Sequence, residues 1–269
     1  MTKSNLSQRL LQACIMPLLL LSIASYPAQA NSQATQPVKK VVPKTQNRLT
    51  QLKFPFNGAP IGRRQGGARR NGTQCPDLKI PISALVPGQE TSDESKSFLA
   101  LTVSEYPTFW VYIPQLPTNF RSGEFVFQDR KGKDIYRTSL TLPEKPGVIG
   151  ISLPLSPEYA LKEDLKYQWY FKVYCGEPQI ISEYFYIRSW VQRVALTNDL
   201  KSQLKAASRE YLAYAVNDIW HDALTNLADL RRTNSGDRIL IDDWTNLLKA
   251  VGLSDLASAP IVARYGSEK

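Results

Sequence analysis

The chain has 269 residues, with 33 Lys plus Arg against 24 Asp plus Glu, one His and three Cys. So few His and Cys leave too few ligands for a zinc centre, and the sequence holds no Gly-rich phosphate loop, serine elbow or zinc spacing. The formal charge of +9 belongs to the front: residues 1–30 carry two bases and residues 31–76 nine, with no acid in either, whereas 22 bases face 24 acids from Asp77 onward, so the body is near neutral.

Lys3 and Arg9 open a weakly positive start, Leu10 to Ala24 is mostly apolar, and Ala28-Gln29-Ala30 has the small-x-small pattern. This predicts a secretory signal peptide over residues 1–30, cleaved after Ala30. The apolar run is interrupted by Pro17 and is shorter than the ~20 residues of a spanning helix, so no transmembrane anchor is expected after cleavage. The expected location is exported, periplasmic or extracellular. Cys14 leaves with the leader, and Cys75 and Cys175 remain as an even pair in an oxidising compartment. A disulfide between them is the simplest expectation; in the chain-entropy model, closing a loop of about 100 residues is worth roughly 4–5 kcal/mol.

Residues 31–74 are rich in Gln, Thr, Pro, Gly and bases and lack a sustained apolar period. They predict a disordered basic linker, with Leu52, Phe54 and Phe56 as a short apolar segment. Its Lys39, Lys40, Arg63, Arg64, Arg69 and Arg70 suit an anionic surface: acidic polysaccharide, lipid head groups or acidic protein; the competing reading is a solubilising spacer. Nucleic acid is not an expected partner outside the cytoplasm. Asn71-Gly72-Thr73 is a glycosylation sequon, relevant only in a eukaryotic secretory pathway.

Residues 75–193 carry short strands. Lys79 to Val86, Phe98 to Glu105 and Thr108 to Ile113 come first, the last with Phe109, Val111 and Ile113 on one side and Trp110 and Tyr112 on the other. Glu124 to Gln128 and Asp134 to Leu142 predict a hairpin around Asp129 to Lys133, followed by Val148 to Leu153. Tyr167 to Cys175 is the heaviest strand: Tyr167, Trp169, Phe171, Val173 and Cys175 repeat at period two on a core face, before the turn at Gly176 to Pro178. Ile180 to Trp190 closes the set. Seven or eight strands without intervening helices predict an antiparallel β-sandwich of immunoglobulin or fibronectin type.

From residue 194 to 262 the period lengthens to that of helices, giving an α+β chain with a tail at 263–269. Leu200, Leu204, Ala207, Tyr211 and Ala215 stripe one helix with Asn198 as N-cap; Asn217 and Asp218 break it. Trp220, Ala223, Leu224, Leu227 and Leu230 stripe a second. The pair reads as one tetratricopeptide-like hairpin, with Asp218 where that repeat usually has Gly, and a single copy predicts a small cap rather than a solenoid. Asp242 or Asp243 is the expected cap of a third helix carrying Trp244, Leu247, Leu248 and Val251, which Gly252 stops.

A family resemblance joins these landmarks: Arg63-Arg64, Gly66-Gly67, Cys75-Pro76, Ala84 to Pro87, Pro107, Phe109, Trp110, Tyr112, Glu124-Phe125, Gln128-Asp129, Pro146-Gly147, Tyr167, Trp169 and Cys175. They continue through Ile219-Trp220-His221-Asp222-Ala223-Leu224, Leu227 to Arg232 and Asp243-Trp244. Over roughly residues 60–262 the chain resembles the domain of unknown function 928 family of cyanobacterial exported proteins. The resemblance implies an exported location and a shared fold, and carries no assigned activity.

His221 is a candidate general base with no nucleophile motif beside it, and capping explains Asp242 and Asp243 more simply than catalysis. Arg231 and Arg232 suit a helix C-terminus. No catalytic residue, metal or cofactor is assigned. Trp110, Tyr112, Trp220, His221, Asp222, Arg231, Arg232 and Trp244 are the candidate interaction residues. The expected function is a non-catalytic envelope binding or adaptor module whose partner is an envelope protein or anionic envelope polymer. The alternative is a hydrolase or carbohydrate-binding protein acting on an envelope polymer, with Trp110, Tyr112 or Tyr170 as sugar platforms. The oligomeric state stays open.

Overall fold

Alternating side chains build the centre of the molecule. In the computed structural model, which describes residues 49, 52, 54, 62–68, 75–88, 99–176 and 183–266, Tyr167, Trp169, Phe171, Val173 and Cys175 all face inward and are buried. The described strands are β1 (Arg63–Ala68), β2 (Ser83–Ala84), β3 (Leu99–Thr102), β4 (Thr108–Ile113), β5 (Ser122–Gln128), β6 (Asp134–Thr141), β7 (Gly147–Ser152), β8 (Lys166–Tyr174), β9 (Tyr184–Arg193) and β10 (Ile261–Tyr265). The described helices are α1 (Asn198–Ala206), α2 (Glu210–Val216), α3 (Trp220–Thr233) and α4 (Arg238–Ala250).

The expected two-sheet antiparallel sandwich is corrected. The strands form one continuous sheet in the order β10-β7-β4-β2-β1-β9-β8-β5-β6, with β3 beside β9. β10 pairs with β7 and β3 with β9 in parallel, so the sheet is mixed. It curls until β4 faces β5 and β8: the Phe109 ring lies 5.1 Å from Phe125, 5.8 Å from Phe127 and 5.2 Å from Trp169. The outermost strands nearly meet, and the Tyr265 hydroxyl on β10 donates to the Thr141 carbonyl on β6 at 2.6 Å. The result is a nearly closed barrel with four helices following β9 in the chain.

Two strands make this difference. β1 lies inside the stretch expected as disordered linker, and it joins β2 on one side to β9 on the other. Its sequence, RRQGGA, has no apolar alternation. Gly66 suits the join, because its N–H donates to the Ile82 carbonyl at 2.6 Å and a Cβ there would sit 3.3 Å from that of Ile82. β10 spans the expected boundary between helical region and tail; its register runs from Ile261 opposite Val148 to Tyr265 opposite Ile151. Cys75 and Cys175 form the expected disulfide, with Cα atoms 5.2 Å apart, tying the chain ahead of β2 to the end of β8.

The helices follow the apolar stripes with shifted ends. Thr197, not Asn198, caps α1: its side chain accepts from the Leu200 N–H. The expected first long helix is broken into α1 and α2 around Ala207 to Arg209, where neither Gly nor Pro stands. The break re-aims α2 so that the buried Tyr211 hydroxyl donates to Asp243 on α4. Asp237, not Asp242 or Asp243, caps α4, its carboxylate accepting from the Ile239 N–H at 2.8 Å. The expected cap lay too late because Ile239, Leu240 and Ile241 already belong to the helix. Gly252 follows α4 with φ +73°, a left-handed C′ residue.

Trp110, Trp169, Trp220 and Trp244 all lie within one continuous core that runs from barrel to helices. Phe54 joins it edge-on against Trp220, at 4.8 Å. The residues described all fall within a unit spanning Pro43 to Lys269. Among them, no helix is long and apolar enough to cross a membrane. The expected signal peptide and Phe56 lie outside the described residues.

Candidate functional site

Helix α3 has two chemically opposite faces. Trp220, Ala223, Leu224, Leu227 and Ala228 are buried in the core. Asp222, Thr225, Asn226, Asp229 and Arg232 recur at the three- and four-residue steps that place side chains on one side of a helix, and they line a cleft of about 450 Å³. Glu210 and Tyr214 of α2 form another wall; Thr102, Ser104, Tyr106 and Thr108, around the β3–β4 loop, form a third, and Arg264 of β10 completes the lining.

Each charged group of known partner is held in place. Asp222, in the first turn of α3, accepts from the Thr102 hydroxyl at 2.7 Å and the Val103 N–H at 3.1 Å, which fastens the β3–β4 loop to the helix. Arg264 pairs with Asp229 and donates to the Thr108 hydroxyl at 3.2 Å. The Asn226 side-chain carbonyl accepts from the Tyr211 N–H at 3.1 Å. Thr225 accepts from the Trp110 indole at 3.0 Å. Burial, then the nearby Asp222 and Glu210 carboxylates, pushes the Tyr214 hydroxyl up to about 12.

His221 also lines the cleft, but it is built into the wall. It is 2% exposed. Its Nδ1 donates to the Thr108 carbonyl at 3.1 Å, so the proton sits on that nitrogen. Its ring meets Phe109 edge-on at 5.3 Å. Burial pushes its pKa down to about 4, leaving a neutral imidazole at neutral pH. Nε2 is buried without a hydrogen-bond partner among the described residues. An imidazole with one nitrogen spent on a backbone carbonyl and the other shut from solvent is a packing group rather than an exposed base.

Of the sequence-predicted interaction residues, the cleft gathers His221, Asp222 and Arg232. Trp110, Tyr112, Trp220 and Trp244 are buried. Trp110 is wedged between β4 and α3, and the Trp220 indole donates to the Leu85 carbonyl at 2.8 Å. Trp110 and Tyr112 therefore offer no exposed sugar platform; both faces of β4 are covered. Arg231 lies 4.7 Å over the Trp244 ring, half-buried. Of the expected basic tail, Arg63 stands on β1, while Arg64 is buried and donates to the Gly88 and Val251 carbonyls at 2.7 Å each. Lys39, Lys40, Arg69 and Arg70 lie outside the described residues. Among the described residues, no group of three or more His, Cys, Asp or Glu is placed to hold a metal ion.

Sequence reasoning missed Thr102, Tyr106, Glu210, Tyr214 and Arg264 as cleft residues. The spacing of Asp222, Thr225, Asn226 and Asp229 was visible but reads equally as a solvated helix face. Arg264 carried no signal, because its strand was unrecognised.

Fold and cleft define a class: a nearly closed, mixed ten-stranded barrel with a helical cap and a polar cleft where the two meet. The chain belongs to the Domain of Unknown Function (DUF928) family, whose model matches residues 65–261. Comparison with curated proteins gave no match.

Proposed function

We propose that the protein is an exported, non-catalytic binding module, an envelope adaptor that receives a polar segment of a partner protein in the cleft beside α3. The leader pattern at residues 1–30 and the Cys75–Cys175 bond support the location. The observation that carries the reading is the fixed polar lining: both signs of charge, hydroxyls and an amide converge on about 450 Å³, within the size range of ligand sites. Preorganised polar groups favour recognition because little side-chain freedom is lost on binding. His221 and Asp222, the pair on which a hydrolase would draw, are engaged by Thr108, Thr102 and Val103.

The test is a pull-down from the native envelope fraction with the chain from Asn31 onward, compared with Arg232→Glu and Tyr106→Ala. A specific partner held by the wild type should fall about tenfold or more in affinity for each variant, the cost of one or more good polar or aromatic contacts. An unchanged partner profile in both variants would remove the cleft from the interface. Turnover of peptidoglycan or polysaccharide, abolished in His221→Ala, would replace the adaptor reading with a hydrolase.

A further inference from the structure

The outer face of the sheet carries a second polar arrangement that shares no residue with the cleft. Arg63 of β1 and Arg188 of β9 are direct register partners in an antiparallel pair, which turns both side chains to the same side. Arg63 confirms that direction, its guanidinium lying 5.0 Å over the ring of Tyr186, two residues before Arg188 on β9. Tyr170 of β8 is the register partner of Arg188 on its other side. All four side chains are partly exposed. Two like charges directly opposite each other destabilise a sheet. Among the described residues, neither guanidinium has a carboxylate within ion-pair distance: Glu124 of β5, two strands from β9, is taken by Lys172 at 2.8 Å and Arg137 at 2.5 Å. Among the described residues, the Arg188 Nε is a buried donor with no acceptor.

We infer that Arg63 and Arg188 form an oxyanion site on this face that takes the carboxylates of an acidic polysaccharide. Two neighbouring guanidiniums relieve their repulsion by sharing an anion, and each offers a planar fork that matches a carboxylate with two parallel hydrogen bonds. Tyr170 and Tyr186 flank the pair with ring surface for a sugar ring, and the Tyr170 hydroxyl, which donates to the Gln168 side-chain carbonyl at 2.6 Å, keeps its lone pairs as acceptors. A lipid surface fits less well, because among the described residues no exposed large aliphatic side chain belongs to β1, β8 or β9 to insert below head groups.

The experiment measures binding of the exported chain to polygalacturonate, with neutral dextran and phosphatidylglycerol vesicles as comparisons, at about 0.15 M salt, where exposed charges more than ~8 Å apart are screened. The wild type should bind polygalacturonate and not dextran. The Arg63→Gln/Arg188→Gln variant should lose at least about tenfold in affinity, as expected for charge-assisted forks. Arg63→Lys/Arg188→Lys, which keeps charge and guards against a folding failure, should fall between, since an ammonium lacks the fork. Lys39→Gln/Lys40→Gln should lose less than the arginine variant. Equal affinity in wild type and arginine variant, or an equal loss in the lysine variant, would overturn the site. Vesicles bound more tightly than the polysaccharide through the same pair would overturn the ligand. The cleft variants Arg232→Glu and Tyr106→Ala should leave polysaccharide binding unchanged, so failure of either site is read separately.

Discussion

The imidazole of His221 is wedged between the Thr108 carbonyl and the Phe109 ring, and this placement makes stability depend on pH. In the unfolded chain a histidine titrates near 6.5; in the fold burial lowers it to about 4. Between those values the unfolded state binds more protons, so stability rises with pH there and is lost as pH falls through the window. Each unit is about 1.4 kcal/mol, and linkage over the range from pH 6.5 to 5 gives about 1–2 kcal/mol for this group. Denaturant unfolding should show wild type losing that much more than His221→Gln between the two pH values. Parallel pH profiles would mean that the ring is solvated in the folded protein. The same residue shows how far sequence reasoning reached into the site. A titratable pair at 221 and 222 was legible, but its engagement was not: the carbonyl that holds the ring belongs to Thr108, 113 positions away.

At the scale of elements, the turn between α2 and α3 is where sequence and backbone disagree most usefully. Asp218 has φ +62°, a left-handed conformation that costs a residue with a Cβ roughly 1–2 kcal/mol and glycine almost nothing. Burial also holds its carboxyl above the usual range. The hairpin pattern had glycine at this position as the norm, and the geometry supplies the reason. Asp218→Gly should raise stability by about 0.5–1 kcal/mol after the extra chain entropy of glycine is subtracted, whereas Asp218→Ala should not; equal thermal midpoints for the two variants would show that the backbone is not strained. The legible elements were those whose periodicity is local. β8 announces itself because Trp169, Phe171 and Val173 alternate against a single core face. β4 is legible at Thr108 to Ile113, but what covers its second face is not, because α3 meets Trp110 from far along the chain. β1 and β10 were illegible: one has glycines where apolar residues would mark a strand, and the other, five residues long, is defined by its parallel neighbour β7. Without them the remaining strands suggest two sheets, and the barrel cannot be inferred.

Across the whole molecule, the closing contacts join residues distant in sequence. β1 meets β9, β3 meets β9, and β10 returns from beyond the helices to β7. Such a fold gives up much loop entropy before its pairings form. The disulfide reduces that loss, since Cys75 and Cys175 lie 100 positions apart and their loop contains β2 through β8. In the chain-entropy model a loop of this size stabilises by roughly 4–5 kcal/mol, acting through the unfolded state. Both cysteines sit outside the strands, Cys75 ahead of β2 and Cys175 just after β8, so their replacement breaks no ladder. The Cys75→Ser/Cys175→Ser variant should keep its native circular dichroism while losing several kcal/mol in urea unfolding, with a steeper denaturant dependence because an unlinked unfolded chain exposes more surface. It should also refold more slowly, since the long-range pairings must then form without the link. A variant that unfolds at the wild-type midpoint would mean that the unfolded chain already holds these segments together, and the bond would then be redundant for stability.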